Sequence, residues 1–252
     1  MKNRLKELKE FIDKNGKVSF HDLEENFKEV SSMTLRRDLQ RLEYNNAVLR
    51  VPGGAISVDS VLKAKESDFA ERITVSTAEK HEIAEKAIKI IEPNECMFID
   101  GGSTTTYFAR AIPDEDCYVL TNAFVIAETV MRKSKPKVAL LGGDLMRPNF
   151  ITVGRTCLEF IDGINIQTAV MTATGFNPEN GAFTCGMQNE SEVKRKVIEK
   201  ADRVIMLLDG TKVGKKTTYT FATLDDVDCM VVDSSFRKEL KESIEKSGVK
   251  VY

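Results

Sequence analysis

The sequence predicts an α/β protein in which a small helical module precedes a larger domain built on a mainly parallel β-sheet. The chain has 252 residues, more than one small core needs. About sixty N-terminal residues hold three short helical patterns and end in a glycine-containing turn. From Ala78 onward, helical periods alternate with short apolar runs, the pattern of parallel strands joined by helices.

Composition narrows the class of protein. Hydrophobic residues make up 42% of the chain and charged residues 30%, and no apolar run approaches the roughly 18 residues that a membrane span needs. The charged N-terminus MKNRLKELKE is unlike a signal peptide, so we expect a cytoplasmic protein with no membrane partner. The chain has five widely spaced cysteines, two histidines and no CxxC pair. We therefore expect reduced thiols, no metal site and no cofactor.

The first two helices are predicted from apolar spacing and capping signals. An apolar stripe over residues 5–12 predicts helix one, which ends at the capping signal Asn15-Gly16. Ser19 and Asp22 are spaced as in a capping box and open a second helix that runs to about Asn26.

The third helix is predicted in the stretch SSMTLRRDLQRLE, residues 31–43. Leu35, Leu39 and Leu42 share one face, which leaves a cationic face on the opposite side. Three short helices with a tight turn before the third predict a helix-turn-helix, whose third helix enters the major groove of DNA. Arginine, glutamine and hydroxyl side chains there suit phosphates and base edges. The candidate DNA-binding residues of this helix are Ser31, Ser32, Thr34, Arg36, Arg37 and Gln40.

The segment after the third helix predicts a wing. In NNAVLRVPGGAISV, two apolar runs flank Pro52-Gly53-Gly54 and form a β-hairpin pattern. Arg50 on its first strand is a further candidate for contact with a DNA phosphate. Asp38 is expected either to hold an arginine in its rotamer or to lie in solvent. The net charge of −2 alone does not indicate nucleic acid, and a cationic helix face can be merely solvated.

Six apolar runs in the larger domain predict buried strands. Helices of about ten residues fit between most of them, and a further helical stripe over residues 83–91 precedes the first strand. The predicted strands are 96–100, 117–121, 137–141, 168–174, 203–208 and 229–233, and the predicted helices between them are 104–112, 122–132 and 188–201.

Small polar residues follow several of these strands. Ligands of parallel sheets bind beyond the carboxyl ends of strands, and glycines with free N–H groups at a helix start suit an anion. Tight turns and helix caps would explain each turn alone, but several converging strand ends favour a ligand site. The sequence GGSTTT is not GxGxxG, which disfavours a nucleotide site. The candidate effector-binding residues are Asp100, Gly101, Gly102, Ser103, Thr104, Thr105, Asn122, Gly142, Gly143 and Lys212.

The N-terminal residues resemble the winged helix-turn-helix of the DeoR family of bacterial transcription regulators. One departure is Pro52, where the family commonly carries histidine. The matching residues are Val30-Ser31-x-x-Thr34-Leu35-Arg36-Arg37-Asp38-Leu39, Leu42-Glu43 and Leu49-Arg50-Val51-x-Gly53-Gly54-Ala55.

The larger domain resembles the sensor domain of the same family, which is similar in fold to ribose-5-phosphate isomerase. The resemblance implies that the loop beginning at Asp100 binds a phosphate. The matching motifs are Phe69-x-x-Arg72, Glu79-Lys80-x-x-Ile83-Ala84, Asp100-Gly101-Gly102-Ser103-Thr104-Thr105, Thr121-Asn122, Leu141-Gly142-Gly143, Glu190-x-x-Val193-Lys194 and Asp209-x-x-Lys212-x-Gly214.

We therefore expect a winged helix-turn-helix DNA-binding domain over residues 1–57, a hinge over 58–76 and an effector-sensing α/β domain over 77–252. The resemblance implies a non-enzymatic repressor of a carbohydrate-metabolism operon, a homo-oligomer (dimer or tetramer) that leaves double-stranded operator DNA when a phosphorylated sugar binds.

Two alternatives stay open at this point. The first is a sugar-phosphate isomerase-type enzyme that carries a DNA-binding module, with acid/base candidates at Lys212, Asp209, Asp100 and Glu190. The second is an interaction module whose arginine helix binds an acidic protein. This second alternative predicts little loss of duplex binding when Arg36 and Arg37 become alanine.

Overall fold

The structure, a computed structural model, describes residues 2–15, 17–44, 47–51, 53–57, 69–147 and 149–252. The chain divides into two compact units, Met1–Ser67 and Asp68–Tyr252. Three features expected from the sequence lie outside the described residues: the capping residue Gly16, Pro52 of the wing turn, and residues 58–68 of the hinge.

The described part of the N-terminal unit is a winged helix-turn-helix. Its elements are α1 (Lys2–Asn15), β1 (Lys17–Ser19), α2 (Phe20–Asn26), α3 (Ser32–Tyr44), β2 (Val48–Val51) and β3 (Gly54–Ser57). The strands form an antiparallel sheet of order β1-β3-β2, and β2 and β3 are the predicted hairpin. β1 was not predicted, because a strand of three residues between two helices shows no period.

The apolar stripes of the three helices meet in one small core. Leu8 and Ile12 of α1, Leu23 of α2, and Leu35 and Leu39 of α3 are each at most 3% exposed. Burying a leucine or isoleucine side chain is worth about 1.5–3 kcal/mol. This packing therefore decides which face of α3 remains outside.

Asp38 lies on the buried side of α3. Its side chain is 1% exposed, and its Oδ2 accepts a hydrogen bond from Arg4 Nε at 2.7 Å. Of the two expectations for Asp38, pairing with an arginine is confirmed and exposure to solvent is wrong. The partner lies on α1, which the spacing within α3 does not reveal, and the ion pair ties the two helices together.

The larger unit is an α/β domain. Its elements are α4 (Phe69–Thr74), α5 (Thr77–Ile88), β4 (Cys96–Ile99), α6 (Ser103–Ala111), β5 (Tyr118–Thr121), α7 (Phe124–Met131), β6 (Lys137–Leu140), β7 (Asp144–Met146), β8 (Ile151–Val153), α8 (Arg155–Asp162), β9 (Ile166–Thr172), β10 (Gly175–Asn177), β11 (Ala182–Cys185), α9 (Gln188–Lys200), β12 (Ala201–Leu208), β13 (Tyr219–Ala222), β14 (Cys229–Val232), α10 (Lys238–Lys246) and β15 (Lys250–Val251). Seven strands form one sheet of order β6-β5-β4-β9-β12-β14-β15, in which every neighbouring pair is parallel. The predicted parallel α/β sheet is confirmed.

The six predicted strands are all present, with two kinds of correction. β6 was expected to be buried, but its residues are half-buried or exposed because it forms the edge of the sheet. The short antiparallel β7–β8 pair, the β10-β11-β13 sheet, β15, α8 and α10 were not predicted. Strands of two to four residues are too short to show a period.

The order of the strands defines a switch point. From β4 the chain proceeds to β5 and β6 on one side of the sheet, whereas β9, β12 and β14 follow one another on the other side. β4 and β9 are neighbours, so their outgoing connections leave in opposite directions and open a crevice at their carboxyl ends.

Three further properties concern membranes, metals and thiols. Among the described residues, no helix combines the length and apolar character that crossing a membrane requires. In the same part of the chain, no three His, Cys, Asp or Glu side chains are grouped as metal ligands would be. The five cysteines are free thiols.

Candidate DNA-binding and ligand-binding sites

The outer face of α3 carries most of the predicted DNA-binding side chains. Arg36, Arg37 and Gln40 are exposed, opposite the buried leucines. The Arg36 guanidinium lies 4.9 Å from the centre of the Phe20 ring of α2, which supports the cation from below. This face presents two guanidinium groups and one amide, the groups that hydrogen-bond phosphates and base edges in the major groove.

The start of α3 is held by hydroxyl groups. Leu35 N donates to Ser31 O at 3.0 Å, and Ser31 Oγ lies 2.9 Å from Thr34 Oγ1. Ser32 Oγ donates to the Glu24 carboxylate of α2. These residues are at the helix N-terminus, which attracts phosphate, but their hydroxyls already have protein partners.

The wing carries Arg50. The side chain is exposed and its Nη1 lies 3.6 Å from Glu43 Oε2 of α3. An exposed ion pair is worth little, so a DNA phosphate can take the place of this carboxylate. Gly53 in the turn has φ of +81°, a conformation that favours glycine.

A narrow cleft opens at the switch point between β4 and β9. Its lining combines backbone, hydroxyl and charged groups: Arg72, Gly101, Gly102, Ser103, Thr104, Thr172, Ala173, Thr174, Glu190, Lys194 and Lys212. Helix α6 starts here, and its Thr106 N donates to Gly102 O at 3.0 Å. The N–H groups of the preceding helical residues have no carbonyl partner within the helix, so they suit an anion.

Packing requires the two glycines at the base of the cleft. A Cβ on Gly101 would lie 2.3 Å from Ile151 Cγ2, and a Cβ on Gly102 would lie 2.4 Å from Thr172 Cγ2. Any side chain would force these neighbours apart. The backbone therefore forms the floor of the cleft, where a ligand can approach it closely.

A buried charge cluster closes one side of the cleft. Lys194 of α9 is 2% exposed, forms an ion pair with Asp100, and has its Nζ 3.5 Å from Glu190 Oε1. Thr172 N donates to Asp100 Oδ2 at 3.1 Å. Burial opposes the charge of Lys194, but Asp100 and Glu190 outweigh it and raise the pKa of this lysine above its usual range. Lys194 is thus charged, and its charge is largely compensated within the protein.

A second group of cations lies on the other side. Burial lowers the pKa of Lys212, although the nearby Asp209 opposes this, and the charges of Arg72 and Lys80 add to the lowering. Lys80 of α5 is 3% exposed, and its Nζ donates to the carbonyl oxygens of Val75 and Ser76. Burial also lowers the pKa of Lys80. The three cations outnumber the two nearby carboxylates, Asp209 and Glu79, and this excess of positive charge suits a ligand with a phosphate.

The predicted effector-binding residues fall into three groups. Gly101, Gly102, Ser103, Thr104 and Lys212 line the cleft together. Asp100 lies beside it as the partner of Lys194. The other four do not line it: Thr105 donates to Gly102 O at 3.0 Å, Asn122 donates to Thr152 O at 2.9 Å, and Gly142 and Gly143 follow the edge strand β6.

Several lining residues were not among the predicted effector-binding residues, although Arg72, Glu190 and Lys194 belong to the motifs that carry the family resemblance. Glu190 and Lys194 carried one usable signal, because a spacing of four places their side chains on the same face of a helix. Arg72, Thr172 and Thr174 carry no such signal, since their approach to the cleft depends on the order of strands in the sheet.

Comparison with protein families matches both units. Residues 4–61 match the DeoR-like helix-turn-helix domain, and residues 75–234 match the DeoR C-terminal sensor domain. The chain belongs to the DeoR family. It is therefore a DNA-binding transcription regulator with a C-terminal sensor domain, and α3 is the second helix of its helix-turn-helix.

Curated relatives of this DeoR-family chain are similar over most of its length. It is 31% identical to the HTH-type transcriptional regulator IolR of Bacillus subtilis, over 94% of this chain and 92% of that protein. It is 29% identical to the HTH-type transcriptional repressor GlcR of the same organism, over 88% of this chain and 85% of that protein. Among solved structures, ribose 5-phosphate isomerase A of Methanocaldococcus jannaschii aligns with a TM-score of 0.41 and 17% identity, over 54% of each chain.

Proposed function

We propose that this DeoR-family regulator is a repressor whose cleft at the β4/β9 switch point binds a phosphorylated sugar, which releases the protein from operator DNA. The observation that carries the proposal is the cleft itself, where the start of α6, Arg72 and Lys212 converge on a floor of backbone. The positive groups suit a phosphate, and Thr172 and Thr174 supply partners for sugar hydroxyls. A relative named as a repressor, GlcR, supports the direction of control.

At the DNA, we propose contacts from the exposed face of α3 and from the wing. Arg36, Arg37 and Gln40 provide the donors for base edges and phosphates, Ser31, Ser32 and Thr34 lie at the helix start, and Arg50 adds a phosphate contact. Helix-turn-helix proteins read paired half-sites as symmetric assemblies, so we also propose a homo-oligomer, a dimer or tetramer. Light scattering of the purified protein measures this assembly directly.

We propose that the cleft binds its sugar phosphate without converting it. Asp100 is paired with Lys194 and bonded to Thr172 N, and Glu190 lies between Lys194 and Asn149. A general base must reach the proton that it removes, and these carboxylates are committed to protein partners. We expect no isomerisation of ribose 5-phosphate or glucose 6-phosphate when either is incubated with the protein and followed by NMR. Turnover that disappears in Glu190→Gln would establish the isomerase alternative instead.

Fluorescence anisotropy tests the central proposal. A labelled duplex from upstream of this protein's own gene is titrated with protein at fixed salt, with and without ribose 5-phosphate, glucose 6-phosphate, fructose 1-phosphate or fructose 1,6-bisphosphate. We expect one compound to weaken specific binding by about 5- to 150-fold, the usual range of allosteric coupling.

Matched lysine variants connect this result to the cleft. Lys212→Gln removes a cation of the lining, so more of the active sugar phosphate is needed for release. Lys216→Gln, at an exposed position outside the lining, should respond as the wild type does. Equal behaviour of the two variants would place the effector elsewhere.

A further inference from the structure

Arg72 occupies a special place along the chain. The DNA-binding unit ends near Ser67, and α4, Phe69–Thr74, is the first described element of the sensor unit after it. Arg72 projects from this short helix into the lining of the cleft, beside Gly101, Gly102 and Lys212. It is therefore the lining residue that lies closest in sequence to the DNA-binding unit.

Two contacts attach α4 to the turn at residues 149–150. Arg72 Nη2 donates to Asn149 Oδ1. The Phe69 ring, 7% exposed, meets the ring of Phe150 edge-on with 6.4 Å between centres. Phe150 has φ of +51°, an uncommon conformation for a bulky residue. We call these two contacts, Arg72–Asn149 and Phe69–Phe150, the α4 latch.

The α4 latch is continuous with the buried charge cluster. Asn149 is 3% exposed, and its Nδ2 lies 3.4 Å from Glu190 Oε2. Glu190 lies beside Lys194, which pairs with Asp100. A polar chain therefore runs from α4 through Asn149 to the carboxyl end of β4, where the ligand is proposed to bind. On the other side of α4, Tyr107 Oη donates to Ile73 O at 3.0 Å and joins α4 to helix α6.

We propose that Arg72 binds the anionic group of the effector and transmits occupancy of the cleft to the DNA-binding unit through α4. This inference rests on the proposed function of the cleft. A guanidinium has five N–H donors in a fixed plane, and a phosphate oxygen is a stronger acceptor than the amide oxygen of Asn149. A phosphate held between Lys212 and the start of α6 competes with Asn149 for the N–H donors of Arg72. The contacts of the α4 latch therefore differ between the bound and the free states.

Such a difference is what coupling requires. A ligand shifts an equilibrium only by its differential affinity for the two states. Lys212 and the backbone of Gly101 and Gly102 supply affinity, but they lie within the body of the sensor unit. Arg72 instead joins the ligand to α4, the first described element that follows the DNA-binding unit in sequence, so it supplies the coupling.

The test separates affinity from coupling in the full-length protein. Isothermal titration measures binding of whichever of the four sugar phosphates above is active on the wild type. Anisotropy then measures operator affinity at zero and at saturating concentrations of that compound. In Lys212→Gln, we expect weaker sugar-phosphate binding but a wild-type ratio of operator affinities at saturation. In Arg72→Gln, we expect that ratio to collapse to within about twofold of unity.

A conservative variant and hydrogen exchange complete the test. Arg72→Lys keeps the charge but not the planar set of donors, so its coupling ratio should fall between those of Arg72→Gln and the wild type. Amide exchange of residues 69–74 should change on sugar-phosphate addition in the wild type and stay constant in Arg72→Gln.

Three results would overturn the inference. The first is a wild-type coupling ratio in saturated Arg72→Gln. The second is a native melting temperature together with loss of all sugar-phosphate binding in both Arg72 variants, since this would make Arg72 a plain ligand contact. The third is unchanged exchange of residues 69–74 in the wild type. Failure of the wild type to bind or respond to any of the four compounds would instead count against the proposed function.

Discussion

The two candidate sites keep their cations in opposite environments. On α3, Arg36 and Arg37 are exposed side chains of one helix, supported by a core of leucines beneath them. In the cleft, Lys194 is 2% exposed and is compensated by Asp100 from another element and by Glu190 from its own helix. The first arrangement leaves the positive charge available to a polyanion. In the second, the positive charge is neutralised by carboxylates within the folded protein.

This difference separates binding from stability. An exposed arginine contributes to DNA affinity while removal leaves the folded state nearly unchanged. A buried lysine between two carboxylates cannot be removed without leaving charge uncompensated in the interior. Substitutions in the two regions should therefore change different quantities.

The largest effect is expected from Lys194→Met. The change leaves Asp100 and Glu190 buried without their cation, and breaking a buried ion pair by removing one partner costs about 3–5 kcal/mol. The free energy of unfolding from urea titration measures this loss. Lys196→Met, on the same helix but paired with Asp162 near the surface, is the matched control and should change stability far less.

A rescue variant sharpens the same prediction. Adding Asp100→Asn to Lys194→Met removes one of the two stranded charges, so part of the lost stability should return. If the double variant is less stable than Lys194→Met, the charge balance is not what holds this cluster together.

The next effect is a loss of operator affinity in Arg37→Ala. Loss of a base contact costs about 1–3 kcal/mol in binding, and loss of a phosphate contact reduces the salt slope by about one. The free energy of unfolding should change by no more than about 0.5 kcal/mol. Arg41→Ala, exposed toward the other end of α3, is the control and should bind nearly as the wild type does. A large fall in the free energy of unfolding of Arg37→Ala would contradict the expectation that the exposed arginines contribute to DNA affinity and not to stability.

The same contrast explains what the sequence could predict. The face of α3 was predictable because all its residues lie on one helix, where spacing fixes direction. In the larger domain, the strands and Gly101–Thr104 were predictable from local patterns, but the approach of Arg72 and Thr174 was not, because the strand order that brings them together is a tertiary property. Asp38 shows the same limit in the smaller unit, since its partner Arg4 is 34 residues away.

A third prediction concerns pH. It tests whether a cation of the cleft contributes to binding of the sugar phosphate as an exposed arginine of α3 contributes to binding of DNA. Burial lowers the pKa of Lys212, and Asp209 opposes this, while Lys215, Arg72 and Lys80 reinforce it. Lys212 must be charged to hold a phosphate, so affinity for the sugar phosphate should fall as pH rises toward that lowered pKa. We expect weaker binding at pH 9.5 than at pH 7.5, measured by isothermal titration. Lys212→Arg, which stays charged, should show a flatter profile.

The smallest effect is expected from an ion pair on the surface of the sensor unit. This pair tests whether the loss of stability on removing a charge depends on the exposure of the side chain or on the domain that carries it. Glu82 accepts hydrogen bonds from Lys86 and from Ser234 N and Oγ. These contacts, with that of Lys86 contributing most, lower the pKa of Glu82 to about 2. A lowered carboxylate pKa stabilises the fold above the unfolded pKa near 4.5, and this contribution is lost as pH falls toward 2. Because the side chain is 33% exposed, solvent screening reduces the contribution to about 0.5–1 kcal/mol. The difference in the free energy of unfolding between wild type and Glu82→Gln should therefore be small at pH 6 and shrink toward pH 3. A difference as large as that of Lys194→Met would show that the loss of stability depends on the domain in which a charged residue lies and not on its exposure.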